Sequence, residues 1–231
     1  FYRNDFRKVS KIIAISDYDK SEISEFFPKF SDKIHRIYDP IRFDTSKTIC
    51  ATKDKSIIAT NIQYEHKNII TLIKAFEIFA ANHDDYKLYL IGRKSDYVNN
   101  KLVPYVNEHG LSEKVVFTGF ISREELEQKW RNAAVYVNPS KYEGFGMTAV
   151  ESVLMGAPTV LASLPVNIEV TENMCNYYGD ATDYKSLANC LEATISESLS
   201  FDELQRRRDV LLEKYLYLNI GKKYWDTITN M

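Results

Sequence analysis

The sequence predicts an α/β fold built on a doubly wound parallel sheet. From Lys55 onward, short apolar runs alternate with stripes of helical period, and the turns between them are short. That alternation implies right-handed βαβ crossovers. The runs also stop where buried strands stop, at glycine, asparagine or proline: YKLYLI runs into Gly92-Arg93, VVFT into Gly119-Phe120, and AAVYV into Asn138-Pro139-Ser140.

Taken in order, Ser10–Ser16 reads as a short strand, and Ser16-Asp17 as a helix N-cap with a helix to about Phe26. His35–Asp39 is a second short strand, and Pro40–Thr52 a polar linker. Ser56–Ile62 is a strand. Ile69, Leu72, Ile73, Phe76, Phe79 and Ala80 form a helical stripe. Tyr86–Ile91 is a strand, Tyr97–His109 a helix and Val115–Thr118 a strand. Ser122–Arg131 is a helix whose Ser122 and Glu125 have capping-box spacing. After the apolar run ending at Val137, Met147, Val150, Val153, Leu154 and Met155 trace another helix, which Gly156-Ala157-Pro158 stops. Thr159–Ala162 and Met174–Tyr178 are strands. Asp183–Leu199, Phe201–Lys214 and Tyr217–Ile228 are helices.

Composition excludes several classes. Across 231 residues, 45% are hydrophobic and 27% charged, as in a globular protein, and the net charge of -2 argues against a nucleic-acid partner. No apolar run approaches the roughly 20 residues of a membrane helix, and the opening residues have no apolar core of a secretory signal. Phe1 at the start suggests a piece of a longer protein. Cys50, Cys175 and Cys190 lack metal-site spacing and fit small, partly buried residues in a reducing cytosol. His35, His66, His83 and His109 form no ligand set, no serine–histidine–acid set is readable, and no metal is expected. No G-x-G-x-x-G follows the first strand of the alternating region, so a dehydrogenase is not indicated.

Ligands in doubly wound sheets bind outside the carboxyl ends of the strands. There the sequence gathers Asn61–Lys67, Gly92-Arg93, Gly119–Ile121 and Ser140–Met147. Glu143 stands at a strand end before Gly144-Phe145-Gly146, and Glu151 about one turn inside the following helix, seven residues between them. A glycine loop opening a helix is a ready site for phosphate. Each carboxylate also has an ordinary reading, Glu143 as a loop glutamate and Glu151 as a solvated helix carboxylate.

The run EGFGMTAVE, followed by SVLMGAPTV and PVNIEV, resembles the E-x7-E region of retaining nucleotide-sugar glycosyltransferases of the GT-B fold, group 1 (family 4) type. SKIIAISDYDKSEI and HRIYDPIRFD are similar to the end of that family's N-terminal domain and its linker. The resemblance implies three parts. Residues 1–45 are the tail of an N-terminal domain with the interdomain linker. Residues 46–214 are a Rossmann-like donor-binding domain, and 215–231 a helix crossing back towards the N-terminal domain.

It also implies transfer of a hexose from a UDP- or GDP-sugar to a saccharide or lipid-linked acceptor in bacterial surface polysaccharide or lipopolysaccharide synthesis. No cofactor is expected. The setting would be cytoplasmic, with any peripheral membrane contact through the missing domain. On this resemblance Glu143 contacts the donor sugar and Glu151 the ribose diol. Gly144, Phe145, Gly146, Met147 and Thr148 offer backbone N–H groups, although Phe145 reads equally well as core. Phe120 and Ile121 wall the base, or Phe120 simply packs. Glu169 supports a loop. TNIQYEHKN is similar to the segment carrying an arginine and, six residues later, a lysine. Lys67 matches the lysine and would neutralise the diphosphate, unless it is a surface lysine. The arginine falls on Asn61, or on Gln63 if the loop slips, and Arg93 or His66 is the candidate substitute. His66 otherwise reads as an exposed loop histidine. The rival readings are a non-catalytic scaffold, a generic nucleotide-binding domain, and a nucleotide-sugar epimerase or phosphorylase on the same fold. Little of the second domain is present, so the isolated chain is expected to bind donor weakly and not turn over.

Overall fold

The computed structural model describes residues 2–41 and 43–229. Arg42, in the HRIYDPIRFD segment, lies outside them. The chain opens with α1 (Tyr2–Lys8), which the sequence reading did not foresee: seven residues are too few to show a helical stripe. β1 (Ile12–Ala14) follows, then α2 (Asp17–Phe26), whose N-cap is Ser16 as expected; the Ser16 hydroxyl accepts from the Asp19 N–H at 2.9 Å. A 3₁₀ turn at Pro28–Lys33 leads to β2 (Ile34–Arg36), which pairs parallel with β1.

The main sheet is six-stranded and parallel. Its strands are β3 (Ser56–Thr60), β4 (Lys87–Ile91), β5 (Val115–Gly119), β6 (Val135–Asn138), β7 (Thr159–Ala162) and β8 (Asn176–Tyr178), in the order β5-β4-β3-β6-β7-β8. The chain therefore winds outward from β3 to β5, returns to the other side of β3, and winds outward again. β3 and β6 flank the reversal point, where doubly wound sheets bind ligands.

Helices cover both faces, so every residue of β3, β6 and β7 is buried. This explains why those strands read as continuous apolar runs rather than alternating ones. Ile57 and Ala59 point into one core, shared with α3 (Ile69–Ala80), α4 (Val103–Glu108) and α8 (Tyr184–Ser196). Ile58 and Tyr136 point into the other, shared with α5 (Arg123–Asn132), α6 (Met147–Leu154) and α9 (Phe201–Tyr215). The capping box at α5 forms as its spacing predicts, with the Glu125 N–H bound to the Ser122 hydroxyl and the Ser122 N–H to the Glu125 carboxylate.

Three departures from the expected elements have local causes. The helix expected over Tyr97–His109 opens as a π-helical stretch, Val98–Leu102, before α4. Pro104 has no N–H for the usual ladder and its ring crowds the carbonyl four residues back; the Val103 N–H bonds five residues back, to Val98, widening the turn. PVNIEV, to which the sequence assigns no element, forms α7 (Pro165–Val170), with proline near its start. Two strands read long at one end: His35–Asp39 is Ile34–Arg36, and Met174–Tyr178 is Asn176–Tyr178. The final helix, α10 (Tyr217–Thr229), buries Ile220 and leaves Trp225 and Ile228 exposed. No helix among the described residues is long and apolar enough to cross a membrane.

Candidate functional site

The loops after β3 and β6 meet at the reversal point, and two separate candidates from the sequence, Lys67 and Glu143, meet with them. Lys67 ends a 3₁₀ turn, Glu65–Lys67, and its Nζ donates to Glu143 Oε1 at 2.6 Å. Their side chains are only 12% and 9% exposed, which removes the surface-lysine and ordinary-loop readings of both. Asn138, at the end of β6, donates to the same carboxylate oxygen at 2.9 Å, and Asn138 Oδ1 in turn accepts from the Ser140 hydroxyl. Burial pushes the Glu143 carboxyl up, but the Lys67 charge with the Lys67, Asn138 and Ser140 hydrogen bonds outweighs it. The net shift is below the ordinary glutamate range.

Asn68 holds this corner rigid, and sequence reasoning passed over it. Its backbone is left-handed, φ 56°, and its buried amide donates to the carbonyls of Pro139 (3.1 Å) and Ala181 (2.6 Å). The loops after β3, β6 and β8 are thereby tied together. The available signal was an asparagine just before a helix, the residue best able after glycine to take that backbone.

The glycine loop leads into α6. Gly146 is its N-cap at φ 83°, and Met147 and Thr148 open the first turn. Met147 is partly exposed. Phe145 is core: its ring meets Tyr215 edge-on at 5.5 Å, so only its backbone can serve the site. Below the loop, the buried Tyr136 hydroxyl contacts Thr60 Oγ1 at 3.0 Å, and burial pushes its phenol up.

Glu151 is not a freely solvated carboxylate. Arg123, the first residue of α5, donates to it at 2.7 Å and with its Nε to Glu127 at 2.7 Å. Burial alone would lower the Arg123 pKa; the two carboxylates outweigh it and raise it. Arg123 was absent from the expected site, because the contact joins residues 28 apart on separate helices.

The remaining expected residues divide. Phe120 is 76% exposed at the strand ends and lies outside this chain's core, while Ile121 is half-buried beside Tyr89 and Lys129. Arg93 is exposed and meets no carboxylate in an ion pair among the described residues. Asn61 takes a left-handed backbone, φ 61°. Gln63 Oε1 is buried without a hydrogen-bond partner among the described residues, and a Cβ on Gly92 would stand 2.5 Å from it. His66 is not an isolated loop histidine: it stacks with Tyr64 and Tyr142.

Glu169 does something other than brace its own loop. Its two oxygens accept from the Asp17 and Tyr18 N–H groups at 2.6 and 2.9 Å, holding the N-terminus of α2 across 152 and 151 residues. A Cβ on Gly144 would lie 3.8 Å from Ile15. The N-terminal segment thus abuts the glycine loop itself.

A family model described as "Glycosyl transferases group 1" matches residues 42–209. The serotype-specific mannosyltransferase WbdA of Escherichia coli is 24% identical over 239 residues, covering 95% of this chain and 29% of that protein. The O-antigen chain mannosyltransferase RfbU of Salmonella typhimurium is 28% identical over 174 residues, covering 74% and 47%. The chain spans less than half the length of either. Among solved structures, HepE of Anabaena in complex with UDP-glucose superposes with a TM-score of 0.82 at 18% identity, covering all of this chain and 69% of that one. The pneumococcal O-GlcNAc transferase GtfA in complex with UDP and GlcNAc gives 0.79 at 19%, covering 100% and 47%. At these identities the structural likeness speaks to the GT-B type of fold.

Proposed function

Because this chain belongs to the group 1 glycosyl transferases, we propose that it is the nucleotide-sugar-binding part of a retaining hexosyltransferase. The observation that carries this reading is the buried Lys67–Glu143 pair at the sheet's reversal point, with the Gly146-capped helix and Glu151 beside it. Each part of a nucleoside diphosphate sugar has a counterpart there. The ribose diol takes the Glu151 carboxylate, which can accept from two adjacent hydroxyls. The diphosphate lies at the start of α6, where unpaired N–H groups and the helix dipole favour negative charge. The hexose hydroxyls take Glu143 and the backbone of Gly144–Thr148. The base lies against Phe120 and Ile121.

In the transfer, the bond between the anomeric carbon and the phosphate oxygen breaks. A bond from the acceptor hydroxyl oxygen forms on the same face, and the departing phosphate takes the acceptor proton. Lys67 stabilises the charge that develops on the leaving diphosphate, and the low exposure of the pair makes that charge count for more than it would in water. The donor is a UDP- or GDP-sugar and needs no metal in this scheme. The names of the curated relatives make mannose the first hexose to try and a surface polysaccharide the first acceptor. The acceptor site would be completed by the rest of the protein.

One observation favours a non-catalytic rival: Asn61 stands where the resembled segment carries an arginine, and exposed Arg93 has no shown link to the pair. Calorimetric titration with UDP, GDP, ADP and their sugar conjugates, without metal, tests the reading. Binding of one nucleotide class, weakened at least tenfold in Glu151→Ala, supports it. A full-length protein that binds none of them overturns it.

A further inference from the structure

Three aromatic rings form a stack at the rim of the pair. Tyr64 and His66 have centroids 5.6 Å apart with planes 24° from parallel; His66 and Tyr142 are 4.7 Å apart at 20°. Tyr64 is 51% exposed and Tyr142 64%, so the stack shows ring surface to solvent. It is a built feature rather than three loose side chains. The Lys141 N–H donates to the His66 carbonyl at 3.0 Å, and the neighbouring Asn68 amide ties the same two loops at Pro139. Burial first, and then the Lys67 charge, lower the His66 pKa, so at neutral pH the imidazole is an uncharged ring in the stack.

Position decides what the stack is for. His66 immediately precedes Lys67, and Tyr142 immediately precedes Glu143, so the rings flank the buried pair in both loops. Glu151 and Arg123 lie on α6 and α5, against one face of the sheet, while Asn68 leads into α3 on the other. The carboxylate assigned to the nucleoside and the helix that follows the Tyr64–His66 loop therefore lie against opposite faces of the sheet. A group resting on the stack has the reacting end of the donor for a neighbour, not its base. Flat rings, two of them bearing hydroxyls, with exposed Glu65 and Lys141 next to them in the chain, suit a pyranose: its axial C–H face lies on an aromatic ring while its hydroxyls reach polar groups around it.

We propose that Tyr64, His66 and Tyr142 form a subsite for the pyranose ring of the saccharide acceptor. This rests on the reading of Lys67 and Glu143 as the transfer centre.

The test is nuclear magnetic resonance of the full-length protein with its tyrosine and histidine rings isotope-labelled. It is titrated with mannobiose, maltose and cellobiose, with sorbitol as an open-chain control. The expected result is saturable movement of the Tyr64, His66 and Tyr142 ring signals with at least one disaccharide and none with sorbitol. Apparent affinity should fall about tenfold in Tyr142→Ala and stay within about twofold in Tyr142→Trp. Ring signals that stay fixed with every disaccharide overturn the proposal, and so does a disaccharide affinity that Tyr142→Ala leaves unchanged. A parallel titration with UDP and GDP separates the two readings. Nucleotide binding combined with ring signals that no disaccharide moves overturns the subsite alone, while disaccharide-induced ring movement with no nucleotide binding supports a saccharide site and counts against the donor reading.

Discussion

Arg123, the first residue of α5, and Glu151, about one turn inside α6, are joined by a 2.7 Å charged hydrogen bond, and Arg123 is forked so that Glu127 takes its other edge. The Glu151 carboxylate is thus held in one orientation. Arg123 is about half exposed, so its pairing contributes little to stability, less than about 1 kcal/mol. Its effect falls on binding. Arg123→Ala is expected to weaken nucleotide binding severalfold with the melting temperature almost unchanged, and Arg123→Lys to recover only part, since an ammonium cannot span both carboxylates. Calorimetry alongside thermal unfolding checks this; a loss of stability as large as the loss of binding would give Arg123 a structural role instead.

The Lys67–Glu143 pair predicts a pH dependence. The folded-state pKa of Glu143 is lowered below its ordinary 4.5. The unfolded chain therefore binds the proton more readily, and the pair's contribution is fully present above about pH 4.5 and fades as pH falls through the lower, folded value. Difference curves of stability against pH, wild type minus Glu143→Gln, should be flat near neutrality and fall in acid. At neutral pH, Lys67→Met should cost more than Glu143→Gln, on the order of 3–5 kcal/mol, because it leaves a carboxylate buried without its cation. A smaller loss in Lys67→Met than in Glu143→Gln would refute that account.

Glu169 links α7 to the first turn of α2 through two backbone N–H groups. Glu169→Ala removes both acceptors and the favourable charge at a helix N-terminus, at a cost of about 1–2 kcal/mol. Hydrogen exchange gives the sharper readout: the Asp17 and Tyr18 amides should exchange faster, while amides of the main sheet keep their protection. Unchanged exchange at those two positions would show that the contact does not hold α2.

What the sequence disclosed follows from how local each signal is. The six strands of the main sheet and the caps at Ser16 and Ser122 were readable because each rests on neighbours within a few residues. The positions of Lys67, Glu143 and Glu151 were readable because strand ends of a doubly wound sheet converge on one edge. What stayed hidden was contact across long stretches of chain. The Arg123–Glu151 fork, the Glu169–α2 cap and the Tyr64–His66–Tyr142 stack each join residues that no short spacing relates. Phe145 and Phe120 show the same limit in reverse. Each is an aromatic beside a glycine, yet one is core and the other exposed, and only the packing of Tyr38 and Tyr215 around Phe145 separates them.

Gly146 offers the most direct separation of site from scaffold. Its φ of 83° lies where a side chain costs about 1–2 kcal/mol. A Cβ there would also stand 3.3 Å from Asn167 Oδ1, a buried oxygen without a hydrogen-bond partner among the described residues. Asn167 cannot retreat easily, because its amide is fixed to the Ala162 carbonyl at 3.0 Å. The easier relaxation is in the loop, which would tilt the Gly144–Thr148 backbone away from the crevice. Gly146→Ala should therefore keep the fold, with a modest fall in melting temperature, and lose nucleotide-sugar affinity by more than tenfold. The same change at Gly156, also left-handed at φ 77° and crowded by Ile49 at 2.6 Å, should cost at least as much stability. Gly156 lies after α6, at its far end from the glycine loop, so the folded fraction of that variant should bind as the wild type does. Equal losses of binding in the two variants would mean that the glycine loop carries no special part in holding the donor.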